Sequence, residues 1–154
     1  MALEIERKFL VTSTAWKTLA AGVLTRQGFL STAAERTVRV RIAGAEGFLT
    51  VKGRSHGISR AEFEYAIPVE DAAAMLDGLC EKPLIEKTRY RIPFGAHTWE
   101  VDEFHGANAG LVVAEVELGS ADEKPALPAW VGREVSSDAR YFNTNLVKRP
   151  FTTW

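Results

Sequence analysis

The sequence predicts a mainly β fold of the α+β class, an eight-stranded antiparallel closed β-barrel with a charged interior and a few short packing helices. Three observations predict it. Eight segments share, fully or in part, the alternation of apolar and polar residues that is typical of strands. Glycine and proline residues separate most of these segments. On seven of the eight, the polar face is almost purely ionic.

The predicted elements follow from these patterns and from their terminal residues. The strands span residues 2–11, 25–32, 36–43, 47–53, 60–67, 86–92, 98–104 and 111–118. Residues that cap or end helices predict three helices, with limits at Ser13 and Gly22, at Asp71 and Pro83, and near Ser137 and Leu146. The segment that contains Pro125 and Pro128 is predicted to be irregular. Many short strands at this spacing favour a barrel or sandwich.

Length and composition limit the class of protein. With 154 residues, 46% hydrophobic and 25% charged, the chain is expected to form one domain over residues 1–154. A net charge of −1 predicts neither nucleic acid nor an anionic membrane as a partner. The single cysteine, Cys80, allows no internal disulfide. No apolar run is long enough to span a membrane and the N-terminal stretch is charged, so a cytoplasmic location is expected.

The ionic strand faces have two interpretations. Half-buried antiparallel strands normally direct charged residues to solvent, which would give an ordinary barrel, such as a small carrier with an apolar ligand cavity. However, solvated faces usually mix in Ser, Thr, Asn and Gln, whereas here the signs cluster by strand: Arg39 and Arg41 are both basic, and Glu115 and Glu117 are both acidic. The alternative is a closed barrel whose interior binds a phosphate chain through Arg and Lys, and a hard divalent cation through carboxylates.

A charged interior has two physical consequences. Charges of both signs are costly to bury in a dry, empty cavity, so water, metal or a ligand should fill it. The outer faces of the strands would then be apolar and would need cover. The helices, the C-terminal segment or a second subunit could supply that cover, which makes a homodimer one expected arrangement.

The N-terminal stretch Glu4-Ile5-Glu6-Arg7-Lys8 resembles the E-x-E-x-K signature of the CYTH superfamily, also called triphosphate tunnel metalloenzymes. The similarity continues in family order through Arg39-Val40-Arg41, Thr50-Val51-Lys52, Arg60/Glu62/Glu64, Glu86-Lys87-Thr88-Arg89-Tyr90, Glu100/Asp102 and Glu115/Glu117. Arg140-Tyr141-Phe142-Asn143 with Leu146 is similar to the family's Y-x-N-x-x-L ending. The chain most resembles the short bacterial members that stand alone as single domains.

The resemblance implies an eight-stranded tunnel that binds a triphosphate together with Mg²⁺ or Mn²⁺. For the short bacterial branch it implies hydrolysis of inorganic triphosphate (tripolyphosphate) to pyrophosphate and phosphate. Within the family, the alternatives are a nucleoside or thiamine triphosphatase and a class IV adenylate cyclase. An alternative of another class is a non-catalytic module that binds polyphosphate or nucleotide.

The resemblance also implies roles for individual side chains. The phosphate-binding residues would be Lys8, Arg39, Arg41, Lys52, Arg60, Lys87 and Arg89. The metal ligands would be Glu4, Glu6, Glu115 and Glu117, with Glu62, Glu64, Glu100 and Asp102 as second choices or outer groups. Lys52 and Lys87 are also candidate catalytic bases, because a lysine near other cations loses its proton more readily.

The second predicted strand departs from the family pattern. Family members often have a tyrosine within a Q-G-Y-L run, where it is thought to work with a lysine. This chain has Gln27-Gly28-Phe29-Leu30. Because Phe29 has no hydroxyl, a dyad of Lys52 with a tyrosine cannot be carried over.

Overall fold

The computed structural model describes residues 3–154 and forms a ring-like antiparallel sheet. Its strands are β1 (Leu3–Val11), β2 (Gly22–Ala33), β3 (Arg36–Ala43), β4 (Glu46–Gly53), β5 (Ser59–Ile67), β6 (Ile85–Phe94), β7 (His97–Phe104), β8 (Val112–Glu117) and β9 (Val131–Glu134). Eight strands follow one another around the ring in the order β5-β4-β3-β2-β6-β7-β8-β1. The predicted eight-stranded antiparallel ring is confirmed, and β9 adds to it at the end of β1.

Strand β1 closes the ring by pairing with two neighbours in succession. Its first residues, 3–5, pair with residues 59–61 of β5. Its later residues, 6–9, pair with residues 114–117 of β8. Because side chains alternate across a strand, this arrangement places Glu4, Glu6 and Lys8 together on the inner face.

The second strand begins earlier than the alternation predicts. Gly22 was expected to end a helix, but it begins β2 opposite Tyr90. A Cβ atom at Gly22 would lie 2.5 Å from Cγ2 of Thr88, so the close approach of β6 requires glycine there. The predicted helix from Ser13 is reduced to one 3-10 turn, Ala15–Thr18, which buries Trp16.

The other helices also differ from their predicted limits. Helix α1 (Val69–Gly78) begins after Pro68 and ends well before Pro83. The third predicted helix is divided into a 3-10 turn at Ala139–Tyr141 and helix α2 (Asn143–Lys148). Two further 3-10 turns lie at Gly106–Asn108 and Phe151–Thr153. Within residues 3–154, every helix is too short or too polar to cross a membrane.

Strand β9 was not predicted, because its four residues, Val-Gly-Arg-Glu, lack a clear alternation. The stretch before it is irregular, as Pro125 and Pro128 indicate. The predicted first strand included Ala2, which lies outside the described residues.

The main apolar clusters lie outside the ring because the charged strand faces point inward. One cluster joins Phe9, Trp16, Trp99 and Trp130 on the outer face of β1, β6, β7 and β8. A second lies under α1, where Ala72 and Leu76 pack with Val40 of β3. The expected cover of the outer faces is therefore supplied in part by helices and the irregular segment. On β5, Tyr65 remains 59% exposed.

A third cluster closes one end of the interior. Ile85, Phe104 and Val113 share strand faces with Lys87, Asp102 and Glu115, two residues away in each case. Leu146 and Val147 of α2 pack with these apolar side chains. The inner face is therefore charged along the cavity and apolar at the end that α2 covers.

Candidate active site

The ring encloses a cavity of about 730 Å³ whose wall is built from charged side chains on seven strands. Every predicted site residue except Asp102 lines it: Glu4, Glu6, Lys8, Arg39, Arg41, Lys52, Arg60, Glu62, Glu64, Lys87, Arg89, Glu100, Glu115 and Glu117. Residues far apart in sequence thus meet around one space. The lysines and arginines lie mainly on β3, β4 and β6, and the carboxylates lie mainly on β1, β5 and β8.

Asp102 lies behind this wall and holds two of its cations. Arg89 donates from Nε to Oδ1 at 2.7 Å and from Nη2 to Oδ2 at 2.9 Å. Lys87 donates from Nζ to Oδ2 at 2.7 Å. Both oxygens of Asp102 are therefore engaged by cations, and the side chain is only 1% exposed. This geometry suits the positioning of Lys87 and Arg89 better than metal ligation.

The pKa values of this buried group reflect burial and charge together. Burial alone would raise the pKa of Asp102, but Arg89 and Lys87 outweigh it and hold that pKa well below its ordinary value. Burial lowers the pKa of Lys87 to about 8, although Asp102 opposes the shift. A lysine with such a pKa can exchange a proton near neutral pH, which is what a general base requires.

Lysines also pair with carboxylates on β1, β5 and β8. Lys52 Nζ lies 2.9 Å from Oε1 of Glu4 and 3.3 Å from Oε2 of Glu62. Lys8 Nζ lies 3.5 Å from Oε1 of Glu115. Burial acts to raise the pKa of Glu115, but Lys8 and the other nearby cations lower it to about 2. In this state the two signs of charge in the wall compensate each other.

Glu6 is the least compensated carboxylate in the wall. It lies opposite Glu117 in the β1–β8 ladder. Burial, followed by repulsion from Glu115 and Glu4, raises the pKa of Glu6 to about 8. The pKa of Glu117 is also raised, first by burial and then by Glu4. A divalent cation would relieve this crowding, because it favours the charged form of its oxygen ligands.

The chemistry of this donor set fits Mg²⁺ or Mn²⁺, both of which take carboxylate oxygens. Within the described part of the chain, however, no three ligand groups converge closely enough to hold an ion. Two of these carboxylates are paired with lysines instead, Glu4 with Lys52 and Glu115 with Lys8.

Arg39 and Arg41 share one carboxylate oxygen. Oε1 of Glu64 accepts from Nη2 of Arg41 at 3.1 Å and from Nη2 of Arg39 at 3.5 Å. The hydroxyl of Thr50 donates to the same oxygen at 2.8 Å. The Nε atoms of both arginines are buried and have no hydrogen-bond partner among residues 3–154. Glu64 therefore holds both arginines only through their Nη2 atoms.

Sequence reasoning missed the part of the wall that strands do not supply. Phe142, Asn143 and Lys148 reach the cavity from α2 and its start, and Arg54 reaches it from the β4–β5 loop. Strand alternation cannot identify residues on helices and loops. The Y-x-N-x-x-L ending does include Asn143, whose Oδ1 accepts from Nε2 of the buried Gln27 at 2.9 Å.

The sequence matches a known family and two known enzymes over nearly its whole length. A family model for the CYTH domain matches residues 2–151. An inorganic triphosphatase of Acetivibrio thermocellus is 54% identical over 151 residues, which cover 98% of this chain and 97% of the relative. An inorganic triphosphatase of Nitrosomonas europaea is 41% identical over 148 residues, which cover 93% of this chain and 95% of the relative.

Solved structures show the same fold. The crystal structure of an inorganic triphosphatase matches with a TM-score of 0.66 and 35% identity, covering 93% of this chain and 96% of the other. A conserved hypothetical protein of Pyrococcus furiosus matches with a TM-score of 0.60 over 77% of this chain and 80% of its own; at 18% identity it shows the fold alone. With a charged tunnel, a family match over nearly the whole sequence and close relatives of equal length, the chain belongs to the CYTH domain family.

Proposed function

We propose that this protein is a metal-dependent inorganic triphosphatase, which uses one water molecule to convert tripolyphosphate into pyrophosphate and phosphate. The observation that carries the proposal is the cavity wall, where lysines and arginines face a group of crowded carboxylates. The two relatives at 54% and 41% identity, both inorganic triphosphatases, support it. We also propose that residues 1–154 form one domain around this tunnel and act in the cytoplasm.

In this proposal the cations of the wall bind the phosphate chain. Arg39, Arg41 and Arg89 present guanidinium groups that match phosphate oxygens, and Lys8 and Lys52 act as point charges. Arg60 is fixed by its hydrogen bonds to the Gly53 carbonyl, at 2.9 Å from Nη2 and 3.2 Å from Nε. These side chains stabilise the charge that spreads over the transferred phosphoryl group.

Glu4, Glu6, Glu115 and Glu117 would hold Mg²⁺ or Mn²⁺. When bound, the ion neutralises phosphate oxygens and polarises the phosphoryl group. With Glu4 and Glu115 holding the ion, Lys8 would be free to bind phosphate, and Lys52 would keep only its 3.3 Å contact with Glu62.

We propose Lys87 as the general base, with Lys52 as the second candidate. Lys87 is one of the residues that line the cavity, and burial brings its pKa close to the pH at which it would work. Asp102 fixes the position of Nζ from behind at 2.7 Å. Asp102 is then a positioning residue, since it acts on the substrate only through Lys87 and Arg89.

Phosphate release from tripolyphosphate and from ATP, measured side by side with Mg²⁺, with Mn²⁺ and with a chelator, tests this function. We expect metal-dependent release from tripolyphosphate and little from ATP. The rate should increase as the pH rises through about 8, because the neutral fraction of Lys87 increases there. Equal or faster turnover of ATP would indicate a nucleotide enzyme, and binding without turnover would indicate a binding module.

The Phe29→Tyr variant tests the departure from the family pattern. Phe29 lines the same cavity as Lys52 but packs in the apolar cluster under α2, so a hydroxyl here would lie where the charged and apolar parts of the wall meet. We expect kcat on tripolyphosphate to increase, but by less than the ~10²-fold that a well-placed proton-transfer group contributes. Phe29→Leu is the matched variant without a hydroxyl. An unchanged rate for Phe29→Tyr would show that a hydroxyl has no role here.

A further inference from the structure

Arg39 and Arg41 together bind the carboxylate of Glu64. Both arginines come from β3 and point Nη2 at one oxygen of Glu64, as two guanidinium groups would bind a phosphate oxygen. The Thr50 hydroxyl completes the set of three donors. Glu64 thus occupies the place that a phosphate group of the substrate would need.

Two differences separate Glu64 from Asp102, another carboxylate that contacts two cations of the wall. The side chain of Glu64 is 36% exposed, whereas that of Asp102 is 1% exposed. Asp102 binds Arg89 through two parallel hydrogen bonds at 2.7 and 2.9 Å, but Glu64 has single contacts of 3.1 and 3.5 Å with its arginines. Bidentate charged pairs are the stronger kind. An entering anion should therefore displace Glu64 more easily than Asp102.

We propose that Glu64 is an internal counter-ion, which occupies the Arg39–Arg41 site in the empty tunnel and competes there with the phosphate groups of substrate and products. This inference rests on the proposed function and adds to it a residue that sets phosphate affinity. Each anion that uses the arginine pair must first displace a carboxylate of like charge. The competition weakens the hold on pyrophosphate after hydrolysis and so favours product release.

Isothermal titration calorimetry with pyrophosphate tests the proposal, because pyrophosphate is a product and stays intact during the titration. The titration is run on wild type and Glu64→Gln, first in chelator and then with Mg²⁺. Glutamine keeps the shape of the side chain but removes its charge. We expect Kd for pyrophosphate to decrease about five- to tenfold, toward the lower end of the effect of a unit charge at this distance. Product inhibition should strengthen by a similar factor.

Two control variants separate this role from a structural one. Glu81→Gln removes an exposed carboxylate outside the cavity wall and should leave Kd unchanged. Glu64→Asp keeps the charge, so its Kd should lie closer to wild type than to Glu64→Gln. The melting temperature of Glu64→Gln should stay close to that of wild type, because Glu64 is the most exposed member of its group.

The outcomes distinguish this inference from the proposed function. If wild type hydrolyses tripolyphosphate but Glu64→Gln binds pyrophosphate with unchanged or weaker affinity, Glu64 is not a competing anion and the inference is wrong. Weaker binding would show instead that Glu64 holds the arginines in place for phosphate. If wild type neither binds nor hydrolyses tripolyphosphate with any metal, the proposed function itself fails.

Discussion

Replacing Glu6 with glutamine will stabilise the metal-free protein and at the same time remove its response to metal. The pKa of Glu6 is raised from 4.5 to about 8, so folding disfavours its charged form. The resulting cost is absent below pH 4.5, grows as the pH rises and is complete above about pH 8. Because Glu6 lines an open cavity, we expect a gain of only about 1–3 kcal/mol at pH 8, or about 2–12 °C in Tm.

Thermal unfolding of wild type and Glu6→Gln at pH 5 and pH 8, with chelator or Mg²⁺, measures this effect. In chelator the variant should melt higher at pH 8, and the difference should largely disappear at pH 5. Mg²⁺ should raise Tm of wild type but hardly that of the variant, because a ligand stabilises only the state that binds it. Glu81→Gln is the matched control. A lower Tm for Glu6→Gln at pH 8 in chelator would contradict the assignment.

The same substitution should remove most of the activity. We expect hydrolysis of tripolyphosphate to fall by at least the ~100-fold that even an outer group can cost a metal site. A residue that destabilises the empty protein but is needed for the reaction is typical of a functional site, where stability and activity oppose each other. Glu6 would then be held in place for the cation and not for the fold.

Replacing Asp102 with asparagine will destabilise the folded protein, whereas Glu6→Gln stabilises it. Lys87 would remain fully buried without its anionic partner, and Arg89 would lose two charged hydrogen bonds. Removal of one member of a buried ion pair typically costs about 3–5 kcal/mol, which would lower Tm by about 6–20 °C in a chain of this size. The stability that Asp102 supplies is complete at a pH above the ordinary pKa of aspartate. It is lost as the pH falls toward the lower pKa that Asp102 has in the folded protein.

Thermal or urea unfolding at pH 7 and at low pH measures this second effect. The gap between wild type and Asp102→Asn should narrow as the solution is acidified, since protonation makes the two side chains alike. Asp77→Asn, an exposed position on α1, is the matched control and should stay within about 0.5 kcal/mol of wild type. If Asp102→Asn folds as stably as wild type but binds Mg²⁺ more weakly, Asp102 is a metal ligand after all.

Most charges of the wall are paired with a charge of opposite sign. Lys52, Lys8 and the Arg39–Arg41 pair each hold a carboxylate in the metal-free tunnel. Binding of a cation to the carboxylates and of an anion to the bases should therefore favour each other, because each frees the other's site. Glu6 has no such lysine or arginine contact among residues 3–154, so its cations do not offset the burial and the repulsion from Glu115 and Glu4 that raise its pKa.

The amino-acid sequence is sufficient to identify which faces of the strands meet the ligand. Alternation is a local property of the extended backbone, so Glu4 and Glu6, or Arg39 and Arg41, share a face wherever the strand lies. The order of charged pairs along the chain is also sufficient to indicate the family. The predicted strand limits are accurate where turns follow directly, as at β3, and wrong at β2, where contact with β6 extends the strand to Gly22.

The depth of each charge, and the charge that it contacts, depend on the tertiary structure alone. Asp102 has the same alternation as Glu100, but the register of β7 against β6 places it behind the wall, between Lys87 and Arg89. Similarly, Lys148 joins the cavity because α2 packs over one end of the ring. Burial, ion pairing and pKa depend on atoms brought together by ring closure, and periodicity along one strand carries no information about neighbours in the next.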